Sequence, residues 1–191
     1  MPRAFKPLSL NGSIELRAGS LWRLASSTTS VLLNRLRRGP LRPSWTLAFE
    51  IATKFFRAQD ACVRAAAAAG DLARCRAIAD SLVFYRPVLN EVQIQTEHLH
   101  PGVWFASQRA GPTVLYLHGG GYAFYPKMTD NIVGAVVTAT GGRAFVPHYP
   151  LAPEHPFPAQ LDSARDAYRW LLETSEPTQI VFVGDSAGGH G

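Results

Sequence analysis

Apolar and polar positions change their rhythm along this chain of 191 residues. From Ser44 the apolar residues Trp45, Ala48, Phe49, Ala52, Phe55 and Phe56 recur at intervals of three and four, which lines one face of a helix, with Ser44 as its N-cap behind Pro43. Asp60 to Ala69 and Asp71 to Leu82 read as two further helices, Gly70 closing one and Asp71 capping the next. After Pro87 the period shortens. Glu91 to Glu97 alternates through Val92, Ile94 and Thr96, and Val103 to Ser107 follows, both suited to antiparallel strands. Thr113-Val-Leu-Tyr-Leu117 and Ile180-Val-Phe-Val183 are nearly continuous apolar runs, as expected of strands buried on both faces. Between them the pattern predicts a helix over 129–140, a strand from Arg143 to Pro147, and a helix from Gln160 to Thr174 with Leu161, Ala164, Ala167, Tyr168, Leu171 and Leu172 on one face.

Strand and helix alternating from residue 113 predict an α/β class, antiparallel first strands giving way to parallel strands joined by right-handed crossover helices. The chain divides on this reading into a basic N-terminal segment (1–43), a helical cap (44–86) and an α/β core (87–191) that stops inside a strand, a turn and an opening helix.

Charge sharpens the first of these segments. Residues 1–43 hold eight Lys and Arg against Glu15 alone, a net of +7, whereas the other 148 residues carry eleven basic and thirteen acidic groups, a net of −2. The excess has no aromatic-interleaved patch or nucleic-acid motif behind it, so nucleic acid is not the expected partner. Ser20 to Arg38 is rich in Arg and Ser, with apolar Leu21, Leu24, Leu32 and Leu36. It suits an amphipathic helix of a lid or a membrane-surface arm, or else an organelle transit peptide. The longest run free of Asp, Glu, Lys and Arg is Ala110 to Pro126, 17 residues broken by four Gly and two Pro, too short for a spanning helix. Cys62 and Cys75 have neither CxxC spacing nor clustered His, so they are read as packing residues in a reducing, cytoplasmic compartment, with no metal and no cofactor expected.

Three stretches fall at the ends of predicted strands. Gly184-Asp185-Ser186-Ala187-Gly188 matches G-x-S-x-G between a buried strand and a helix, a turn so tight that glycines flank the serine and leave its Oγ exposed at the strand tip. On its own, the pattern also fits a serine in a glycine-rich turn. His118-Gly119-Gly120-Gly121 ends the strand from Thr113. Residues without side chains let an oxygen approach the backbone N–H groups, so the loop suits either a developing oxyanion or a phosphate; neither Gly-Lys-Ser/Thr nor G-x-G-x-x-G is present. Tyr149-Pro-Leu-Ala-Pro-Glu-His-Pro-Phe-Pro158 is a proline-fixed excursion whose Glu154 and His155 are read as bracing the loop.

HGGGY at 118–122, YPLAPEHPFPA at 149–159 and GDSAGG at 184–189, in that order, resemble the hormone-sensitive-lipase-like branch of the α/β-hydrolases, serine carboxylesterases and lipases. The likeness covers about residues 90–191, and RPSWTLAFEIATKFFRA at 42–58 is similar to the N-terminal lid helices of some members. Pro150 stands where the family usually has Arg. The resemblance implies Ser186 as nucleophile, oxyanion donors among the N–H groups of Gly119, Gly120, Gly121 and Ala187, an elbow formed with Gly184, Asp185 and Gly188, and His118 orienting the glycine loop. It further implies a helical cap over an acyl pocket and a small apolar ester as substrate.

In this fold the triad runs Ser, then an acid, then His, and only five residues follow Ser186. His190 is expected on a helix leading away from the pocket, so it is not read as the base. The chain is accordingly read as C-terminally truncated, and these 191 residues alone as weakly active or inactive. The alternative is a ligand-binding or non-functional fragment without the acid and His.

Overall fold

The computed structural model describes residues 8–190, which form two compact units, 8–83 and 84–190.

The first unit is helical, with a small sheet of β1 (Leu8–Leu10) and β2 (Leu82–Phe84). Ser13 caps α1 (Ile14–Arg38), its hydroxyl accepting from the Leu16 N–H, and Arg35, Arg37 and Arg38 in the last turn complement the helix dipole. The stretch that the sequence sets apart as a basic segment thus contributes a long helix to this unit. α2 (Leu47–Ala68) is capped by Thr46 and not by Ser44, because residues 42–45 close a turn first, Trp45 N–H donating to the Arg42 carbonyl at 3.0 Å. It runs straight through Asp60, so the break expected there does not occur. An Asp interrupts a helix only where its side chain captures backbone N–H groups, and here the Asp60 carboxylate turns to Arg64 instead. Gly70 and Asp71 do separate α2 from α3 (Leu72–Ala79), Asp71 accepting from Arg74 N–H at 2.9 Å. Ala66, Cys75 and Ile78 form a small core beside them.

The face of α2 that is buried also differs from the expected aromatic one. Phe55 is buried, but Phe49 and Phe56 are exposed, and the other buried positions are Glu50, Gln59 and Ala66. They meet Ser20, Ser27 and Val31, the buried positions of α1. This seam is polar and closes by hydrogen bonding. Gln59 Nε2 donates to the Ile78 carbonyl at 3.2 Å and to Ser81 Oγ at 3.3 Å, Ser20 and Ser81 share a hydrogen bond of 2.6 Å, and Arg23 reaches both Ser20 Oγ at 3.0 Å and Gln59 Oε1. At the other end Glu50 pairs with Arg35 at 2.9 Å and accepts from Leu41 N–H, which holds its carboxyl below the ordinary carboxylate pKa.

The second unit is the α/β part. A five-stranded sheet has the order β3 (Gln93–Glu97), β4 (Gly102–Ala106), β6 (Arg143–Pro147), β5 (Thr113–Leu117), β7 (Ile180–Gly184). β3, β4 and β6 are antiparallel neighbours, while β6, β5 and β7 run parallel, as the pattern predicts. α4 (Thr129–Thr140) connects β5 to β6, and α5 (Ala159–Leu171) connects β6 to β7. Alternation along the strands feeds two cores. Val114, Tyr116, Ala144 and Val146 join Val133 and Val137 of α4, and Leu115 and Phe145 join Ala167 and Leu171 of α5. β7 departs from expectation: Ile180 is buried, but Val181 and Phe182 are exposed, because among the described residues this strand pairs only with β5 and lies at the sheet edge.

Candidate active site

Register brings the two glycine-rich motifs together. β5 and β7 pair in parallel from Thr113 opposite Ile180 to Leu117 opposite Gly184, so His118 and Asp185 leave the sheet side by side at its C-terminal edge. Open α/β sheets bind ligands at such an edge. The residues after Asp185 form one 3₁₀ turn, Ser186–Gly189.

Ser186 sits at φ +50°, a left-handed conformation that is costly for a residue with a Cβ and is typical of strained functional turns. Its side chain is exposed. The turn packs directly on β5: a Cβ at Gly188 would lie 2.0 Å from the Leu117 carbonyl oxygen, so only glycine fits there. The Ala187 carbonyl accepts from the Tyr122 hydroxyl at 2.6 Å, and its N–H has no partner among the described residues.

The glycine loop is held by three anchors. Asp185 Oδ1 accepts from the Tyr116 hydroxyl and from Gly119 N–H, both at 2.9 Å. This corrects one assignment. The sequence groups Gly119 with the oxyanion donors, but its buried amide is committed to a carboxylate, a charge-assisted bond that a transient oxyanion would have to break. Gly120 and Gly121 keep N–H groups without partners among the described residues. Gly120 adopts φ +116° with the Phe124 carbonyl oxygen 1.9 Å from where a Cβ would stand, so this sharp turn also requires glycine.

His118 supplies the second anchor. Its ring is buried, stacks on Tyr149 at 3.9 Å with planes 7° apart, and meets Tyr125 edge-on. Nδ1 lies 2.7 Å from the Gly119 carbonyl, which can only accept, so the proton resides on Nδ1. The Tyr149 hydroxyl donates to the His118 carbonyl. Both carbonyls are thereby fixed, and the Gly120 and Gly121 amides beyond them are left open. Burial lowers the His118 pKa to about 4, an effect the Gly119 carbonyl and Asp185 oppose and His148 reinforces. Burial above all raises the hydroxyl pKa values of Tyr116 and Tyr149. The third anchor is the hydrogen bond from Ala152 N–H to the Tyr122 carbonyl at 2.8 Å, which ties the proline-rich excursion to the glycine loop.

A cleft of about 410 Å³ opens beside these residues, walled by Gly121, Tyr122, Tyr149, Leu161, Gly188 and His190 among others, and mostly apolar. Two expectations change here. Leu161, expected on one apolar face with Ala167 and Leu171, is exposed and lines this cleft, while Ala167 and Leu171 take the core-facing positions of α5. His190, expected on a helix leading away, lines it too. No hydrogen bond joins Ser186 to a histidine among the described residues. His155 belongs to the loop brace, its N–H bonded to the Leu151 carbonyl and its own carbonyl to Gln160.

Motif reading finds Ser186 and the glycines but misses the roles of Tyr116, Tyr122, Tyr149 and Asp185 as holders. Tyr122, Tyr149 and Asp185 stand inside the three quoted motifs, so the signal was present. The pairing of Tyr116 with Asp185, 69 positions apart, needs the sheet register to be seen.

Residues 114–190 match a family profile described as alpha/beta hydrolase fold. An acetyl-hydrolase of Streptomyces hygroscopicus is 42% identical over 84 residues, which are 43% of this chain and 28% of that protein. The carboxylesterase/phospholipase LipF of Mycobacterium tuberculosis is 41% identical over 92 residues, 47% of this chain and 24% of the relative. The crystal structure of the S202W/I203F mutant of esterase E40 superposes with a TM-score of 0.55 at 30% identity, covering 70% of this chain and 47% of that one. The matched part thus spans about a quarter of each of these two relatives and about half of the solved esterase. With its strand order and its His-Gly-Gly-Gly and Gly-Asp-Ser-Ala-Gly turns, the chain carries part of an α/β-hydrolase fold and is similar over that part to carboxylesterases.

Proposed function

We propose that this protein hydrolyses carboxylic esters through an acyl-enzyme formed on Ser186. The observation that carries the reading is the strained Ser186, at φ +50°, next to Asp185, whose carboxylate holds a glycine loop with its Gly120 and Gly121 amides open beside a mostly apolar cleft. Proteins similar to this one are named acetyl-hydrolase and carboxylesterase, which supports the same chemistry.

Ser186 Oγ adds to the ester carbonyl carbon while its proton passes to a base. The carbonyl oxygen becomes an oxyanion that Gly120, Gly121 and Ala187 N–H groups receive. Collapse of the tetrahedral intermediate breaks the bond to the alkoxy oxygen, which leaves as the alcohol after taking the proton. Water then repeats the sequence on the acyl-serine and releases the acid. In this fold's chain order the base and the acid that orients it follow the nucleophile. The Leu161, Tyr122 and Tyr149 walls of the cleft favour an apolar acyl or alcohol group.

The natural gene product should cleave p-nitrophenyl butyrate, and Ser186→Ala should lower kcat by about six orders of magnitude. An unchanged rate in the variant would remove Ser186 from the mechanism. Saturable binding of the ester without turnover by the unaltered protein would favour the ligand-binding reading.

A further inference from the structure

We infer that α1 is an interfacial helix that docks this protein on an anionic lipid surface. A helix on a folded unit ordinarily turns its apolar stripe to the core and its polar side to water. α1 does the reverse. Its buried positions are Ser20, Ser27 and Val31, and its seam with α2 closes through Arg23–Gln59 and Arg35–Glu50. Placed at 3.6 residues per turn, Leu21, Trp22, Leu32, Leu33 and Leu36 fall on the opposite side. All five are exposed, Trp22 to 73% and Leu36 to 85%. Because the polar side is engaged with α2, the unit is folded with two apolar clusters facing outward, Leu21–Trp22 and Leu32, Leu33 and Leu36, separated by Ala25 and Thr29, and exposed apolar clusters along one helix face mark an interaction site.

Charge names the occupant. Arg17 and Arg37, both exposed, flank the stripe on its two sides, Arg38 follows, and residues 1–43 contain Glu15 as their one acid. A protein partner would need a complementary acidic rim around an apolar groove, whereas an anionic bilayer offers negative headgroups directly above an apolar layer along the whole helix. The 25 residues of α1 would lie in that plane over about 37 Å. None of the described helices is long and apolar enough to cross a membrane, so the geometry is that of a helix lying on the surface. Trp22 has the apolar body and N–H donor that suit the headgroup boundary.

The test is sedimentation of the full chain with vesicles of phosphatidylcholine alone and of phosphatidylcholine with about a third phosphatidylglycerol. Binding to the mixed vesicles should be at least about tenfold tighter and should weaken as salt is raised. The double variant Trp22→Glu, Leu36→Glu changes only exposed positions. It should keep the wild-type helical circular dichroism and lose the binding, and Arg37→Glu should reduce the anionic preference. Equal partition of the wild type to both vesicles, or a folded double variant that binds as the wild type does, would overturn the proposal. So would gel filtration in which the double variant dissociates an oligomer while its vesicle binding is unchanged, since the stripe would then serve a second copy of the chain.

Discussion

Buried between Tyr149 and Tyr125, the His118 ring gives its Nδ1 proton to the Gly119 carbonyl and acts as a fixed peg under the oxyanion loop. Burial sets a direction for its titration. The unfolded ring takes a proton near pH 6.5 and the folded one only near pH 4. Between those values the unfolded state binds more protons, so stability is complete above pH 6.5 and falls as pH is lowered through the window, by up to about 3 kcal/mol. Burial lowers the pKa of His148 as well, so the total loss includes its share. Urea unfolding of the wild type and of His118→Phe at pH 7 and near pH 4 isolates the His118 part: the variant should lose less stability on acidification. Equal losses would show that the ring is not held neutral. At this scale Ser186 and the glycines were legible because tight turns demand particular residue types. The capture of the Gly119 amide was not, because it depends on a carboxylate 66 positions away that only strand pairing brings near.

Among the elements, β5, α4 and β6 match their expected ranges, since fully buried parallel strands and the helix between them leave continuous or strictly periodic apolar runs. The helices of the first unit were less legible. Periodicity places apolar faces inward, and the α1–α2 seam breaks that rule with Ser20, Gln59 and Ser81 at its centre. Gln59→Leu tests whether the seam is held by polar pairing. Leucine is the better helix former and the more apolar residue, yet it would leave Arg23 without its carboxamide acceptor and strip Ser81 and the Ile78 carbonyl of a donor. Unsatisfied buried groups cost about 1 to 3 kcal/mol, so the variant should melt lower than the wild type by circular dichroism at 222 nm. An unchanged or higher melting temperature would mean that packing alone holds the helices together.

For the molecule as a whole, the division into residues 8–83 and 84–190 separates two kinds of chemistry. The second unit places a strained serine, two open amides and an apolar cleft at the C-terminal edge of its sheet, and residues 114–190 carry the family likeness. The first unit presents a basic and apolar helix outward. Sequence motifs sufficed for the fold of the second unit, because three of them fall at strand ends in a fixed order. They said little about the first, whose faces are decided by which helix meets which.

The central claim is that Ser186 is the nucleophile. Treating the natural gene product with diethyl p-nitrophenyl phosphate and locating the adduct by peptide mass spectrometry tests it most directly. A single diethylphosphoryl group on Ser186, formed in step with loss of ester hydrolysis, is the predicted result. Loss of hydrolysis with the adduct on another residue, or hydrolysis that persists with Ser186 fully modified, would contradict it.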